Sequence, residues 1–238
     1  MEILFFLAAF VAEIVGTVAG FGSSTVALPL ALLFFDFQTA LILVAFLHIF
    51  GNVGRISFFK SGLDKRLLLI FGIPSVVFTL AGALLVSSIS QTTLKSILGV
   101  FLVVYAIIFL WKEKIKLQPS VLNSLIGGSL SGFLAGLIGT GGALRGAFLT
   151  AFGLPKEKYI ATAAAIALAV DVTRIPVYFA EGFLNNRYYW YIPFLFVIAL
   201  AGSFTGKQIV KQVPQKTFRK IVLGAIFIVG CTFIATQI

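Results

Sequence analysis

The sequence predicts an all-α membrane protein built from two inverted five-segment helical repeats, with a helix in each repeat broken or re-entrant at a glycine-rich turn. Three observations predict it. First, 60% of the 238 residues are hydrophobic and 11% are charged, with a mean hydropathy of +1.09. A soluble domain of this size needs a charged surface that this chain cannot supply. Second, apolar runs such as 67–87 and 121–137 hold no charge, which is too long for core helices and too continuous for an alternating β-barrel strand. Third, polar positions recur at one interval. Gly20 and Gly139, Gly22 and Gly141, Asn52 and Asp171, and Arg55 and Arg174 are each separated by 119 residues. An interval held by polar residues inside apolar sequence points to an internal duplication of the kind found in secondary transporters.

Ten apolar segments can be marked. The first half holds roughly 3–20, 23–35, 39–59, 67–87 and 94–111. The second holds roughly 121–138, 142–153, 159–180, 190–209 and 218–236. Residues 1–111 and 121–238 are therefore the two repeats, and the hydrophilic stretch 112–120 is their linker. One repeat alone cannot enclose a polar pathway, so both halves are expected to form one transport domain. The first segment follows Met1 and Glu2 without a basic leader, and it is expected to stay in the mature protein. The lone Cys231 excludes a disulfide framework.

A net charge of +10 would suggest nucleic acid in a soluble protein. Here the basic residues crowd short loops, so no nucleic acid is expected. If the segments alternate sides, one side collects Lys60, Lys65, Arg66, Lys112, Lys114, Lys116, Lys156, Lys158, Lys207, Lys211, Lys216, Arg219 and Lys220. The other keeps Lys95 and Arg187. By the positive-inside rule the first side is cytoplasmic, the linker with it, and both termini are external. Matching loops also exchange their charge bias, as they must if the repeats are inverted. The second and seventh segments, at about 10–13 residues, reach only about 15–20 Å against a hydrocarbon core near 30 Å. They either cross tilted or return as re-entrant hairpins. Both geometries place the glycine turn at membrane depth, where irregular backbone must be buried in protein or line a wet cavity.

The candidate site residues are the two turns and the intramembrane charges. Gly20, Gly22, Ser23, Ser24 and Thr25 open the second segment, and Gly139, Thr140, Gly141 and Gly142 open the seventh. Helix N-termini with free N–H groups, glycines that admit close approach and hydroxyl donors together describe an anion cradle. Tight helix contact through small residues is the competing use of such glycines. His48, Asn52 and Arg55 form one polar stripe on the third segment, and Asp171, Arg174 and Tyr178 form one on the eighth. Asp171 and Arg174 can pair at i, i+3, either as a structural ion pair or as part of the site. Arg145 adds a third intramembrane arginine, leaving a positive interior that suits an anion. Arg55 is close enough to its helix end to snorkel. Glu13, whose counterpart is Gly132, and His48 are candidates for proton coupling, although a neutral buried glutamate and a simple helix contact would explain them equally. A single histidine removes His-x-x-x-His zinc sites, and no nucleophile elbow, Walker loop or dinucleotide fingerprint is present. No enzyme activity, metal or cofactor is expected.

The doubled turn resembles the TauE/SafE (sulfite exporter-like) permeases. Their Gly-x-Gly-Gly-Gly pattern with a proline nine residues after the first glycine is matched by Gly20-Phe21-Gly22 with Pro29 and by Gly139-Thr140-Gly141-Gly142. Ser23 and Ser24 replace two glycines, Ala143 replaces one, Phe148 stands where proline is usual, and Arg145 stands where an apolar residue is usual. The resemblance covers nearly the whole chain. It implies an alternating-access permease of the cell membrane for sulfur-containing anions such as sulfite, sulfonates or sulfoacetate. Its partners would be the small anion and the bilayer, with a homodimer compatible. Two alternatives stay open: a five-plus-five repeat metabolite transporter of another family, and a non-transporting membrane assembly protein.

Overall fold

The structure, a computed structural model, describes residues 2–20, 22–59, 62–111, 118–150 and 152–210, with 223–224, 226–228, 230–231 and 233–235 near the end; the side chains of Lys156 and Val210 are outside this description. Lys60, the linker charges at 112–116 and the basic cluster at 211–220 therefore lie outside the described residues, as does part of the tenth apolar segment. The described residues are helical and contain no strand. They include seven helices long and apolar enough to cross a membrane.

In chain order the described helices are α1 (Glu2–Ala19), the short α2 (Ser24–Ala31), α3 (Phe37–Phe58), α4 (Lys65–Leu67) continuing into α5 (Ile73–Leu85), and α6 (Gln91–Trp111). Then come α7 (Val121–Ile138), the short α8 (Gly142–Thr150), α9 (Lys156–Ala180) and α10 (Tyr191–Val210). Asp36 begins α3 by accepting from the Thr39 N–H at 3.1 Å. Asp64 begins α4 by accepting from the Leu67 N–H at 3.0 Å. That bond, with Lys158 3.4 Å away, holds the Asp64 carboxyl below the usual carboxylate range. Between α4 and α5 the residues Leu68–Gly72 form a π turn. Pro74 lies just beyond it, and its missing N–H explains the widened ladder.

The short helices α2 and α8, at 8 and 9 residues, extend only about 12–14 Å. They are shorter than the expected segments 23–35 and 142–153, because the chain leaves α2 at Leu32 in tight turns back onto Leu28, Leu30 and Ala31. Each runs back along the helix before it. The Phe5 ring, early in α1, meets the Phe35 ring, beyond the end of α2, at 4.8 Å between centroids. In the second half the Phe148 ring of α8 covers Gly127 of α7.

Helices of the two halves interlock. α5 packs on α7, α1 on α10, and α3 lies against both α9 and α10. Leu41, Ile42, Leu43 and Leu47 of α3 are almost fully buried, so α3 forms the centre, while the outward faces of α1, α5, α6, α7 and α10 are apolar and exposed, as lipid contact requires. The α5–α7 seam is close because Gly128, Gly132 and Gly136 sit directly on the carbonyls of Phe71, Ser75 and Thr79, where any side chain would collide with backbone. Thr79 also donates to the Gly132 carbonyl at 3.0 Å. At the 119-residue offset α1 carries Ala9, Glu13 and Thr17 in place of those glycines. The small residues of the α1–α10 seam are on the other helix instead: Gly202 faces Glu13 and Gly206 faces Thr17. This exchange of large for small is what makes room for a carboxylate in the interior.

Candidate functional site

The polar stripes of α3 and α9 face each other and meet at Asp171. Asp171 Oδ1 accepts from Arg174 Nε at 3.0 Å and lies 2.8 Å from Arg174 Nη2. Asp171 Oδ2 accepts from Asn52 Nδ2 at 3.1 Å and lies 2.9 Å from His48 Nδ1. The remaining Arg174 donor, Nη1, reaches the Ala135 carbonyl at 2.8 Å. Tyr178 donates to the neighbouring Gly136 carbonyl. The expected Asp171–Arg174 pair is therefore present, and it is anchored on the backbone of α7 near its end.

On the other side of Asn52 a second ion pair forms. Arg55 Nη1 donates to Asn52 Oδ1 at 2.5 Å, its Nε donates to Thr17 Oγ1 at 3.2 Å, and its Nη2 pairs with Glu13 Oε1. Ser203 of α10 also donates to Glu13 Oε1, at 2.9 Å. Arg55 was expected to be able to snorkel; it does not. It is 2% exposed, because Glu13, Thr17 and Asn52 together satisfy its fork in the interior. One side-chain amide thus joins the two ion pairs, with its oxygen on a cation and its nitrogen on an anion. Glu13, Arg55, Asn52, Asp171 and Arg174 form a single buried chain across α1, α3 and α9. A buried pair needs such additional hydrogen bonds to offset its desolvation, and here all but Glu13 Oε2 have them.

The two glycine turns also meet. Thr25 Oγ1 and Thr140 Oγ1 are 2.8 Å apart. Gly20, Gly22 and Gly139 adopt φ values of +78°, +91° and +70°, which other residues take only with strain. Not every turn glycine faces open space. Gly141 sits against the Ser131 carbonyl of α7, and Gly139 against Leu41 and Leu28; both shape the turn. Gly20 faces the Tyr159 ring, and Gly22 faces His48 Nε2. Gly142 and Ser24, at the first positions of α8 and α2, are buried.

Around this junction are buried polar atoms without a hydrogen-bond partner among the described residues: Ser23 Oγ, His48 Nε2 and Arg145 Nε. Glu13 Oε2 is a fourth, at the far end of the ionic chain. Leaving such an atom unpaired costs about 1–3 kcal/mol, so three around one junction need a reason. Arg145, at 3% exposure, forms no salt bridge among the described residues. The structure adds Thr17, Ser203, Tyr159 and the Ala135 carbonyl to the residues named from sequence. Only Thr17 had a readable signal, lying one helical turn after Glu13 on the same face. No cluster of metal ligands occurs among the described residues.

Spanning helices wrapped around a sealed chain of opposite charges, with unsatisfied donors at the junction of two helix breaks, define a polytopic membrane protein of the transporter class. The chain belongs to the sulfite exporter TauE/SafE family, whose model matches residues 5–233. It is also similar to a "Probable membrane transporter protein" of Methanocaldococcus jannaschii, at 24% identity over 95% of this chain and 93% of that protein. No solved structure matches.

Proposed function

We propose that this protein is a permease for small sulfur oxyanions or organosulfonates, working by alternating access in the cell membrane, and that the anion binds where the two glycine turns meet. The observation that carries this reading is the set of unsatisfied buried atoms, Ser23 Oγ, His48 Nε2 and Arg145 Nε, beside the Thr25–Thr140 contact. An oxyanion presents several acceptors in a small volume and would satisfy the hydroxyl and guanidinium donors at once. Glu13 offsets Arg55 and Asp171 offsets Arg174, so Arg145 supplies the surplus positive charge. The first N–H groups of α2 and α8 add partial positive charge without a further ion. Ser24, Thr25, Thr140 and Gly142 line the two helix starts. Gly20, Gly22, Gly139 and Gly141 hold the turns in shape, and Asn52, Arg55, Asp171 and Arg174 are the rigid support behind them.

The reading includes two inverted repeats, 1–111 and 121–238, which rock about the bound anion. Supporting it, equivalent helices make equivalent contacts: α1 on α10 answers α7 on α5, and the equivalent residues Asn52 and Asp171 bond to each other. The fold-back of α2 along α1 and of α8 along α7 fits re-entrant hairpins entering from opposite sides. Topology is tested with single cysteines at Gln118 and Gln237 in a Cys231→Ser background. An impermeant thiol reagent should reach the first from the cytoplasmic side and the second from outside. Labelling of both from one side would remove the inverted arrangement.

The substrate is tested in proteoliposomes with radiolabelled sulfite, methanesulfonate and sulfate. Uptake of sulfite or methanesulfonate well above protein-free vesicles is the expected result. Uptake of none of the three would end the anion-permease reading and return attention to the metabolite-transporter and assembly-protein alternatives.

A further inference from the structure

We propose that His48 binds a proton together with the anion, so that the protein moves one monovalent oxyanion and one proton as a unit. This rests on the anion site proposed above and assigns its coupling ion.

His48 is the only histidine in the chain. It is buried on α3, and its two ring nitrogens have opposite surroundings. Nδ1 lies 2.9 Å from Asp171 Oδ2. An ionised carboxylate accepts and cannot donate, so Nδ1 must carry the hydrogen. Asn52 Nδ2, 3.4 Å from the same nitrogen, is itself a donor directed at the same carboxylate oxygen and does not change this assignment. The tautomer then leaves a bare lone pair on Nε2. That atom is buried without a hydrogen-bond partner among the described residues, and it lies at the first glycine turn: a carbon added to Gly22 would sit 2.5 Å from it.

A lone pair aimed at an anion repels it, whereas a protonated Nε2 donates to it. The anion and the proton must therefore favour each other's binding, and by linkage they do so equally. The charged groups around the ring permit this exchange. Asp171 and Arg174 face it from α9 and offset each other. Arg55, on its own helix, is offset by Glu13 of α1. Arg145 of α8 is left as the surplus charge, and Ser23 on the turn and Ser203 on α10 are neutral. The empty site, with a neutral ring, carries about one positive charge. Loading an anion with a proton leaves that charge unchanged, while loading the anion alone would cancel it. A site whose charge is the same empty and loaded returns and advances under the same electrical work across the membrane potential. The proton comes from water on the open side and leaves to water on the other; no bond in the substrate is made or broken.

Because His48 is the sole imidazole, one experiment needs no resonance assignment. The full chain, carried on a histidine-free affinity tag and labelled with 15N-histidine, is titrated in lipid nanodiscs with and without methanesulfonate. Methanesulfonate is a strong-acid anion, so any proton taken up belongs to the protein. The expected result is that saturating probe raises the midpoint for Nε2 protonation by at least about one pH unit, and that probe affinity rises about tenfold for each unit the pH falls between the two midpoints. Vesicles loaded with a pH dye should report one proton moved per methanesulfonate, and His48→Gln should abolish that proton movement and the pH dependence of flux. Methanesulfonate flux without protons, or a ring unresponsive to bound probe, overturns the inference and leaves the permease reading standing. Transport of sulfate alone, a dianion, also overturns it, since the commitment is to a monovalent anion. Absence of flux for all three anions removes the permease reading and this inference with it. If His48→Gln does not fold, the wild-type titration and proton count decide alone.

Discussion

Asp171→Asn is expected to lower the thermal unfolding midpoint of the purified protein by on the order of 10 °C. Breaking a buried ion pair from one side costs about 3–5 kcal/mol, and a chain of this length loses about 2–4 °C per kcal/mol. The hydrogen-bond pattern explains why asparagine is a poor replacement despite its shape. Both Asp171 oxygens accept: one from Arg174, the other from Asn52 and His48. If the new amide keeps its oxygen on Arg174, its NH2 group faces two donors. His48 can shift its hydrogen to the other nitrogen and accept. Asn52 cannot turn over, because its oxygen is held by Arg55 at 2.5 Å. The conflict therefore passes along the amide to the Glu13–Arg55 pair. Arg174→Gln should cost a similar amount, and the double variant should cost clearly less than the sum, because neither charge is then left alone. Additive losses would mean that the two residues are stabilised independently and that the chain is not one unit.

Arg145→Gln should instead abolish anion uptake, by at least about a hundredfold, while leaving the unfolding midpoint unchanged or higher. A buried guanidinium without a carboxylate costs desolvation energy that the fold does not recover, so removing it relieves the empty protein. The same change removes the surplus charge that attracts the anion. Arg145→Lys keeps the charge without the planar fork and should restore part of the uptake at a higher apparent KM. Normal uptake by Arg145→Gln would place the anion elsewhere. A large loss of stability would show that Arg145 holds the helices together instead of waiting for a ligand. The two substitutions thus separate the support from the site: one residue whose partners are all inside the protein, and one whose partner is missing.

Much of this was legible in the sequence, and the reason is the repeated 119-residue interval. A charge inside a membrane is costly enough that its position is informative by itself, and a fixed interval of 119 residues between Asn52 and Asp171 already marks two equivalent helices. The spacing of Asp171 and Arg174 places them on one helix face, so their pairing follows from local geometry. The turns were legible for the same kind of reason, since glycines at positive φ leave a compositional trace inside apolar runs. Glu13 was different. Its counterpart is Gly132, so the repeat offers no hint of its partner, and nothing local distinguishes a neutral buried glutamate from one paired with an arginine 42 residues away.

Composition, hydropathy and the repeated interval determined that this chain is a helical membrane protein with its polar groups at two helix breaks and on the stripes of two helices. Those properties depend on neighbours along the chain and on the cost of polarity in lipid, and both can be read without coordinates. Only the tertiary structure decided which donor meets which acceptor. It turned Arg55 inward onto Glu13, Thr17 and Asn52, committed Gly141 to the Ser131 carbonyl, and left Ser23, His48 and Arg145 each with an unsatisfied atom. Those outcomes depend on helix separation and rotation. The separation and rotation are set by which helix of a seam carries the small residues: α7 against α5 in one half, and α10 against α1 in the other. A shift of about one helical position along either seam would rotate the stripes by about 100° and part the contacts made between helices, Arg55 with Glu13 and Asn52 with Asp171.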